Sequence, residues 1–127
     1  MIPPELKYTE SHEWAKTEGT TATVGITHHA QELLSDIVFV ELPDIGRALK
    51  KGDECAVIES CKIAAELYTP VSGTIVAVNT DLRDHPEYVN QDPYGKGWIA
   101  QIEMSDPSEI NALLDADRYR AHVEAGE

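Results

Sequence analysis

Short runs of alternating or β-branched apolar residues, each closed by a turn, make up most of the chain. Thr21-Ala22-Thr23-Val24-Gly25-Ile26 follows the turn-like pair Glu18-Gly19 and predicts a strand. Thr27 is placed to cap a short helix ending at Leu34, whose apolar side is Ala30, Leu33 and Leu34. Asp36-Ile37-Val38-Phe39-Val40-Glu41-Leu42 predicts a strand stopped by Pro43-Asp44-Ile45-Gly46, and Lys51-Gly52-Asp53 marks the next turn. Pro70-Val71-Ser72-Gly73 turns into a strand over residues 74–78, and residues 98–103 form the last one. Asp106-Pro107-Ser108-Glu109 has the order of a capping box with proline at the first helical position, so a helix with Ile110, Leu113 and Leu114 on its apolar side is expected. Tyr119 and Val123 predict another after Asp115. Many short strands with helices at the margins describe a small sandwich or barrel.

Residues 54–69 break the rhythm, because they contain no Gly, Pro, Asn or Asp. As one strand, sixteen residues would run about 50 Å. A globule of this length has a radius of gyration of only about 14 Å, so the segment must bend. Its most polar stretch is Glu59-Ser60-Cys61-Lys62, with Val57 and Ile58 before it and Leu67 and Tyr68 after it. A hairpin with Lys62 at or beside its tip is therefore predicted. No residue there favours positive φ, and a tip with poor turn chemistry suggests residues kept for another purpose.

At 127 residues the chain is expected to form a single domain, residues 1–127. The net charge of −13, with basic residues scattered, excludes a nucleic-acid footprint, which needs clustered cations. An acidic surface serves solubility and can steer the chain toward positively lined sites on partners. Cys55 and Cys61 have neither zinc nor disulfide-framework spacing. No apolar span or leader pattern is read in the sequence, so no membrane partner and a cytoplasmic location are expected.

Candidate chemistry is sparse. His28 and His29 are adjacent and would point about 100° apart on a helix, which disfavours shared metal ligation, so no metal site is expected. Gly95-Lys96-Gly97 is too short for a phosphate loop and reads as a turn. Ser11, His12 and Glu13 supply nucleophile, base and acid types, but consecutive residues in an extended segment form no triad. By residue type alone Glu13 is a solvated carboxylate and Lys62 a solvated amine. Cys55 reads as a small core residue, Cys61 as an exposed thiol. No catalytic residues emerge, and a non-catalytic protein is expected.

Glu59-Ser60-Cys61-Lys62 followed by Leu67-Tyr68-Thr69-Pro70-Val71-Ser72-Gly73 resembles the modification hairpin of lipoyl and biotinyl carrier domains. Further blocks resemble one branch, the glycine cleavage H-protein family. They are Tyr8-Thr9 with Ser11-His12-Glu13-Trp14, Val24-Gly25-Ile26-Thr27, Ala30-Gln31, residues 36–43, Val89-Asn90, residues 92–98 and Ser105-Asp106-Pro107, in that order. The likeness covers nearly the whole chain. It implies a mainly β fold, a hybrid barrel-sandwich of two small antiparallel sheets with short flanking helices. It implies lipoic acid attached covalently to Lys62, with Ser11, Glu13 and Glu66 lining a pocket for the arm. It further implies a shuttle that takes the aminomethyl group of glycine from glycine decarboxylase (P protein) to an aminomethyltransferase (T protein). Electrons then pass to dihydrolipoamide dehydrogenase (L protein), and a lipoyl ligase or transferase installs the cofactor.

The chain departs from the family pattern at five places. Cys61 stands where valine or threonine is usual, Ile63 where alanine is common, Ala65-Glu66 for Ser-Asp, Ser35 for glycine and His28 for aspartate. The alternatives are a divergent lipoyl-relay paralogue and an unmodified interaction module. A biotin carrier is disfavoured, because its tip reads Met-Lys-Met where this chain has Cys61-Lys62-Ile63.

Overall fold

A computed structural model of the chain describes residues 2–126. Its strands are β1 (Lys7–Tyr8), β2 (Glu13–Glu18), β3 (Thr21–Ile26), β4 (Ile37–Glu41), β5 (Ala48–Leu49), β6 (Glu54–Ser60), β7 (Ala64–Tyr68), β8 (Gly73–Val78) and β9 (Ala100–Met104). Helices are α1 (His28–Leu34), α2 (Tyr88–Gln91) and α3 (Ala116–Glu124), with 3-10 turns over Thr80–Arg83 and Pro107–Ala112. The strands form two antiparallel sheets, one of six in the order β1-β2-β3-β9-β8-β5 and one of three in the order β4-β6-β7. The architecture is mainly β and sandwich-like, not a closed barrel, and the two sheets are unequal.

The alternation of side chains along the strands builds the core between the sheets. Ala22 and Val24 of β3, Ile75 of β8 and Ile102 of β9 meet Val40, Ile58 and Leu67 of the smaller sheet in one buried cluster. A second cluster, Leu6, Tyr8, Trp14, Ala116 and Tyr119, fastens α3 to the edge of the larger sheet. There the Tyr8 and Tyr119 rings stack at 4.7 Å. Trp14 lies across Gly25, its partner on β3, where a Cβ would come within 2.8 Å of the indole. The Trp14 Nε1–H donates to the Pro93 carbonyl at 3.0 Å.

Local signals place several elements as expected. Thr27 caps α1, its hydroxyl accepting from the Ala30 N–H at 3.2 Å. Asp115 caps α3 by accepting from the Arg118 N–H at 2.9 Å. Gly95-Lys96-Gly97 is a turn, held where Asp92 accepts the Lys96 N–H at 3.0 Å. Two expectations change. The final strand begins at Ala100 rather than Trp98. The capping box at Asp106 does not form. Asp106 accepts from the Ser108 N–H, whereas Glu109 turns away and accepts from the Ser72 N–H at 2.7 Å and the Ser72 hydroxyl at 2.9 Å. With its carboxylate so engaged, the segment stays a 3-10 turn.

Ser35 closes α1 at φ 67°, ψ −149°, a region populated almost only by glycine. It is held there because its N–H donates to the Gln31 carbonyl at 3.0 Å and its own carbonyl accepts from Asn90 Nδ2 at 2.8 Å. Ser35→Gly removes a Cβ that this backbone disfavours, and should stabilise the protein by about 1 kcal/mol or more. Urea denaturation of the two proteins side by side measures it.

Candidate functional site

Strands β6 and β7 are the two arms of the hairpin inferred from length alone. They pair from Glu54 opposite Tyr68 to Glu59 opposite Ala64. Lys62 sits exposed in the connection. The tip needs no positive φ, because a side chain supplies the missing turn chemistry. The Ser60 N–H donates to the Ile63 carbonyl at 2.8 Å. The Ser60 hydroxyl donates to the same carbonyl and accepts from the N–H groups of Lys62 (3.2 Å) and Ile63 (3.1 Å). The Cys61 N–H donates to the Asp36 carbonyl at 3.1 Å, tying the tip to the segment before β4. Lys62 is thus an exposed amine on a tightly bonded turn. Ser60→Ala should destabilise the protein by about 1 kcal/mol and speed amide exchange at Lys62 and Ile63, since two N–H groups lose their acceptor. Hydrogen exchange followed by mass spectrometry reads both.

A cleft of about 240 Å³ opens beside this hairpin. Ile63, next to Lys62, is part of its rim, with Ala65 and Glu66 following on β7. Ile58 of β6, Ile26 of β3 and Ala30, Leu33 and Leu34 of α1 make the apolar wall. Ser11, His12 and Glu13 make the polar wall. Ser11, Glu13 and Glu66 are among the residues that line this cleft.

Their surroundings differ. Glu13 is 2% exposed, so the solvated carboxylate expected from residue type alone does not hold. Its Oε1 accepts from the Thr9 hydroxyl and from the Ser11 hydroxyl (2.6 Å), and its Oε2 accepts from the Tyr68 N–H at 3.2 Å. A buried carboxylate is thereby satisfied by three donors, with no cation among them. The last of these bonds joins β2 to the end of the β6–β7 hairpin. Glu66 is exposed, and its Oε2 accepts from the Tyr68 hydroxyl at 2.9 Å. That hydrogen bond is the main reason the Tyr68 phenol titrates above its ordinary value. Thr9, His12 and Tyr68 were not identified from the sequence as parts of the site. The polar run that holds Thr9 and His12 gives no periodicity, and Tyr68 comes from β7 of the other sheet, so only the tertiary fold brings its N–H to Glu13.

The two cysteines separate as expected. Cys55 is buried, and desolvation pushes its thiol up to about 11, which keeps it protonated and unreactive. Cys61 is exposed beside Lys62. Cys61→Val keeps the backbone bond to Asp36 and should leave the folding free energy within about 0.5 kcal/mol of the parent, as for surface changes generally, which urea denaturation checks. His28 pairs with Glu32 at 3.5 Å, one turn along α1. Among the described residues no three His, Cys, Asp or Glu side chains are grouped to hold a metal ion. No helix there is long and apolar enough to cross a membrane.

Comparison with known proteins gives this geometry a family. The glycine cleavage H-protein family model matches residues 6–126. The glycine cleavage system H protein of Cronobacter sakazakii is 58% identical over 97% of this chain and 96% of its own. That of Photorhabdus laumondii is 54% identical over 99% and 98%. The crystal structure of a glycine cleavage system H protein from Mycobacterium marinum superimposes with a TM-score of 0.88 at 37% identity, covering 99% of this chain and all of that one. With a hairpin-tip lysine, an adjoining cleft and matches along almost its full length, the chain belongs to the glycine cleavage H-protein family.

Proposed function

We propose that this chain is the lipoyl carrier of a glycine cleavage system, with lipoic acid attached through an amide to Lys62 and with no catalysis of its own. The observation that supports this most is the position of an exposed lysine at a side-chain-bonded hairpin tip, next to Ile63, which lines an apolar cleft. Attachment there would consume the lysine charge, and the cofactor's cyclic disulfide would supply the reversible thiol that accepts a one-carbon cargo. The fit is chemical. Leu33, Leu34, Ile58 and Ile63 suit an aliphatic arm, and the Glu13 carboxylate suits a cationic end.

Each residue has a task in this reading. Ser60 presents Lys62 to the lipoyl ligase or transferase by fixing the turn. The apolar wall excludes water from the arm, which matters because an aminomethyl thioether hydrolyses once its amine departs. Ser11 and Glu13 receive the ammonium of the cargo, and Glu66 stands at the mouth. Between visits to glycine decarboxylase, aminomethyltransferase and dihydrolipoamide dehydrogenase the cargo rests in the cleft. The acidic surface steers the carrier toward basic docking sites on those enzymes, with which it shares the cytoplasm of a bacterial cell. Mixing the three enzymes with lipoylated and unmodified protein tests the reading. Glycine-dependent electron transfer should require the modified form, and equal transfer with the unmodified form would overturn it.

A further inference from the structure

His12 stands between Ser11 and Glu13 with φ 74°, and it lines the same cleft. Of the lining residues it alone has an ordinary titration range that spans roughly pH 5 to 8. Its backbone is pinned on both sides, with its N–H donating to the Thr9 carbonyl and its carbonyl accepting from the Thr27 N–H at 3.0 Å. Its Nδ1 lies 2.7 Å from the Tyr119 hydroxyl, which also lies 2.7 Å from the buried Thr27 hydroxyl. Burial pushes the Tyr119 phenol up to about 12, so that group stays neutral whenever His12 titrates. A neutral phenol donates to a bare Nδ1 and accepts from a protonated one. This contact therefore holds in both states.

Two other imidazoles face His12. His29 of α1 lies 4.7 Å away between ring centroids, and His122 of α3 lies 5.8 Å away. His122 itself bridges to the Glu10 carbonyl at 2.9 Å. Among the described residues, the charged groups near it include Glu13 on β2, Glu66 on β7 across the cleft, and Glu10 in the same loop. An imidazolium on a residue that lines the same cleft as Glu13 opposes the negative potential that favours a cationic guest. It leaves the apolar wall untouched.

We propose that His12 determines which form of the arm the cleft retains. Neutral, it admits an ammonium-bearing arm beside Ser11 and Glu13. Protonated, it expels that arm and still accommodates an uncharged one. The inference rests on the reading that the cleft receives an arm borne on Lys62.

The test uses lipoylated Cys61→Val protein, which removes the exposed competing thiol. Reduced arm alkylated with 2-bromoethylamine gives stable thioethers ending in ammonium groups, and the oxidised cyclic disulfide is the uncharged comparison. Methyl NMR shifts of Leu34 and Ile58 report occupancy of the cleft as pH falls. Occupancy by the cationic arm should drop about tenfold across roughly pH 8 to 5, while the uncharged arm stays. His12→Asn, a residue that tolerates left-handed backbone, should abolish the drop. His29→Gln, which removes a competitor for the proton, should move the drop to higher pH. A drop that persists in His12→Asn, or that is shared by both arms, overturns the proposal. Should His12→Asn not fold, an unmoved transition in His29→Gln does so instead. If neither arm shifts these methyls at any pH, the cleft reading itself fails, and this inference with it.

Discussion

Lys62→Arg is expected to fold like the parent and to carry no glycine-derived electrons to the dehydrogenase. The turn that presents this residue is held by Ser60 and by backbone groups, so the lysine side chain contributes nothing to it. Arginine keeps the charge and similar length, and surface changes of this kind stay within about 0.5 kcal/mol. Its guanidinium remains protonated at any biological pH and offers no free amine for an amide bond. The variant should therefore show the parental melting temperature, gain no lipoyl mass, and leave reconstituted flux at background. Full flux with a folded Lys62→Arg protein would mean that another residue is the carrier.

The second large effect is expected at Glu13. Its carboxylate accepts from Thr9, Ser11 and the Tyr68 N–H, so Glu13→Ala would take the acceptor from a part-buried N–H and cost about 1–3 kcal/mol in stability. Glu13→Gln isolates the charge. Its amide oxygen can face the Tyr68 N–H while its NH2 donates to hydroxyls that are free to rotate. The fold should survive. What the proposed carrier role would lose is the charged partner for the cargo's ammonium, a hydrogen bond worth roughly 1.5–3 kcal/mol. At 1.4 kcal/mol per decade the arm should leave the cleft about tenfold more often or beyond. Isolated, loaded Glu13→Gln protein should accordingly release ammonia and formaldehyde about tenfold faster on standing. Release at the parental rate would leave Glu13 as a structural carboxylate that joins β2 to the hairpin and nothing more.

The hairpin was legible because a length argument has no local ambiguity: sixteen residues without a breaker cannot stay straight in a globule this small. The Thr27 cap and strand β3 were legible because cap chemistry and β-branching act within a few residues. Strand β5 was not, since its two residues pair only with Thr74 and Gly73, far along the chain. The capping-box motif at Asp106 misled because a distant serine competed for Glu109 and won. At the tip, the missing turn residue had a substitute in the sequence itself, the Ser60 hydroxyl.

The site divides in the same way. The bend placed Lys62 at or beside a hairpin tip, but its role, like those of Ser11, Glu13 and Glu66, came only from the family likeness. A polar run such as Thr9-Glu10-Ser11-His12-Glu13 carries no sign that one carboxylate faces inward. Burial of Glu13 depends on β2 lying between β1 and β3 and on the Tyr68 N–H arriving from the smaller sheet. The strain at Ser35 could be anticipated only as a departure from a family glycine, and its cause is the backbone angle.

Intact-mass measurement with peptide mapping, on protein made by cells supplied with lipoate, addresses the carrier role most directly. One lipoyl group on the peptide containing Lys62, with every other lysine bare, is the predicted result. A lipoyl group on Lys50, Lys51 or any other lysine while Lys62 stays unmodified would contradict it.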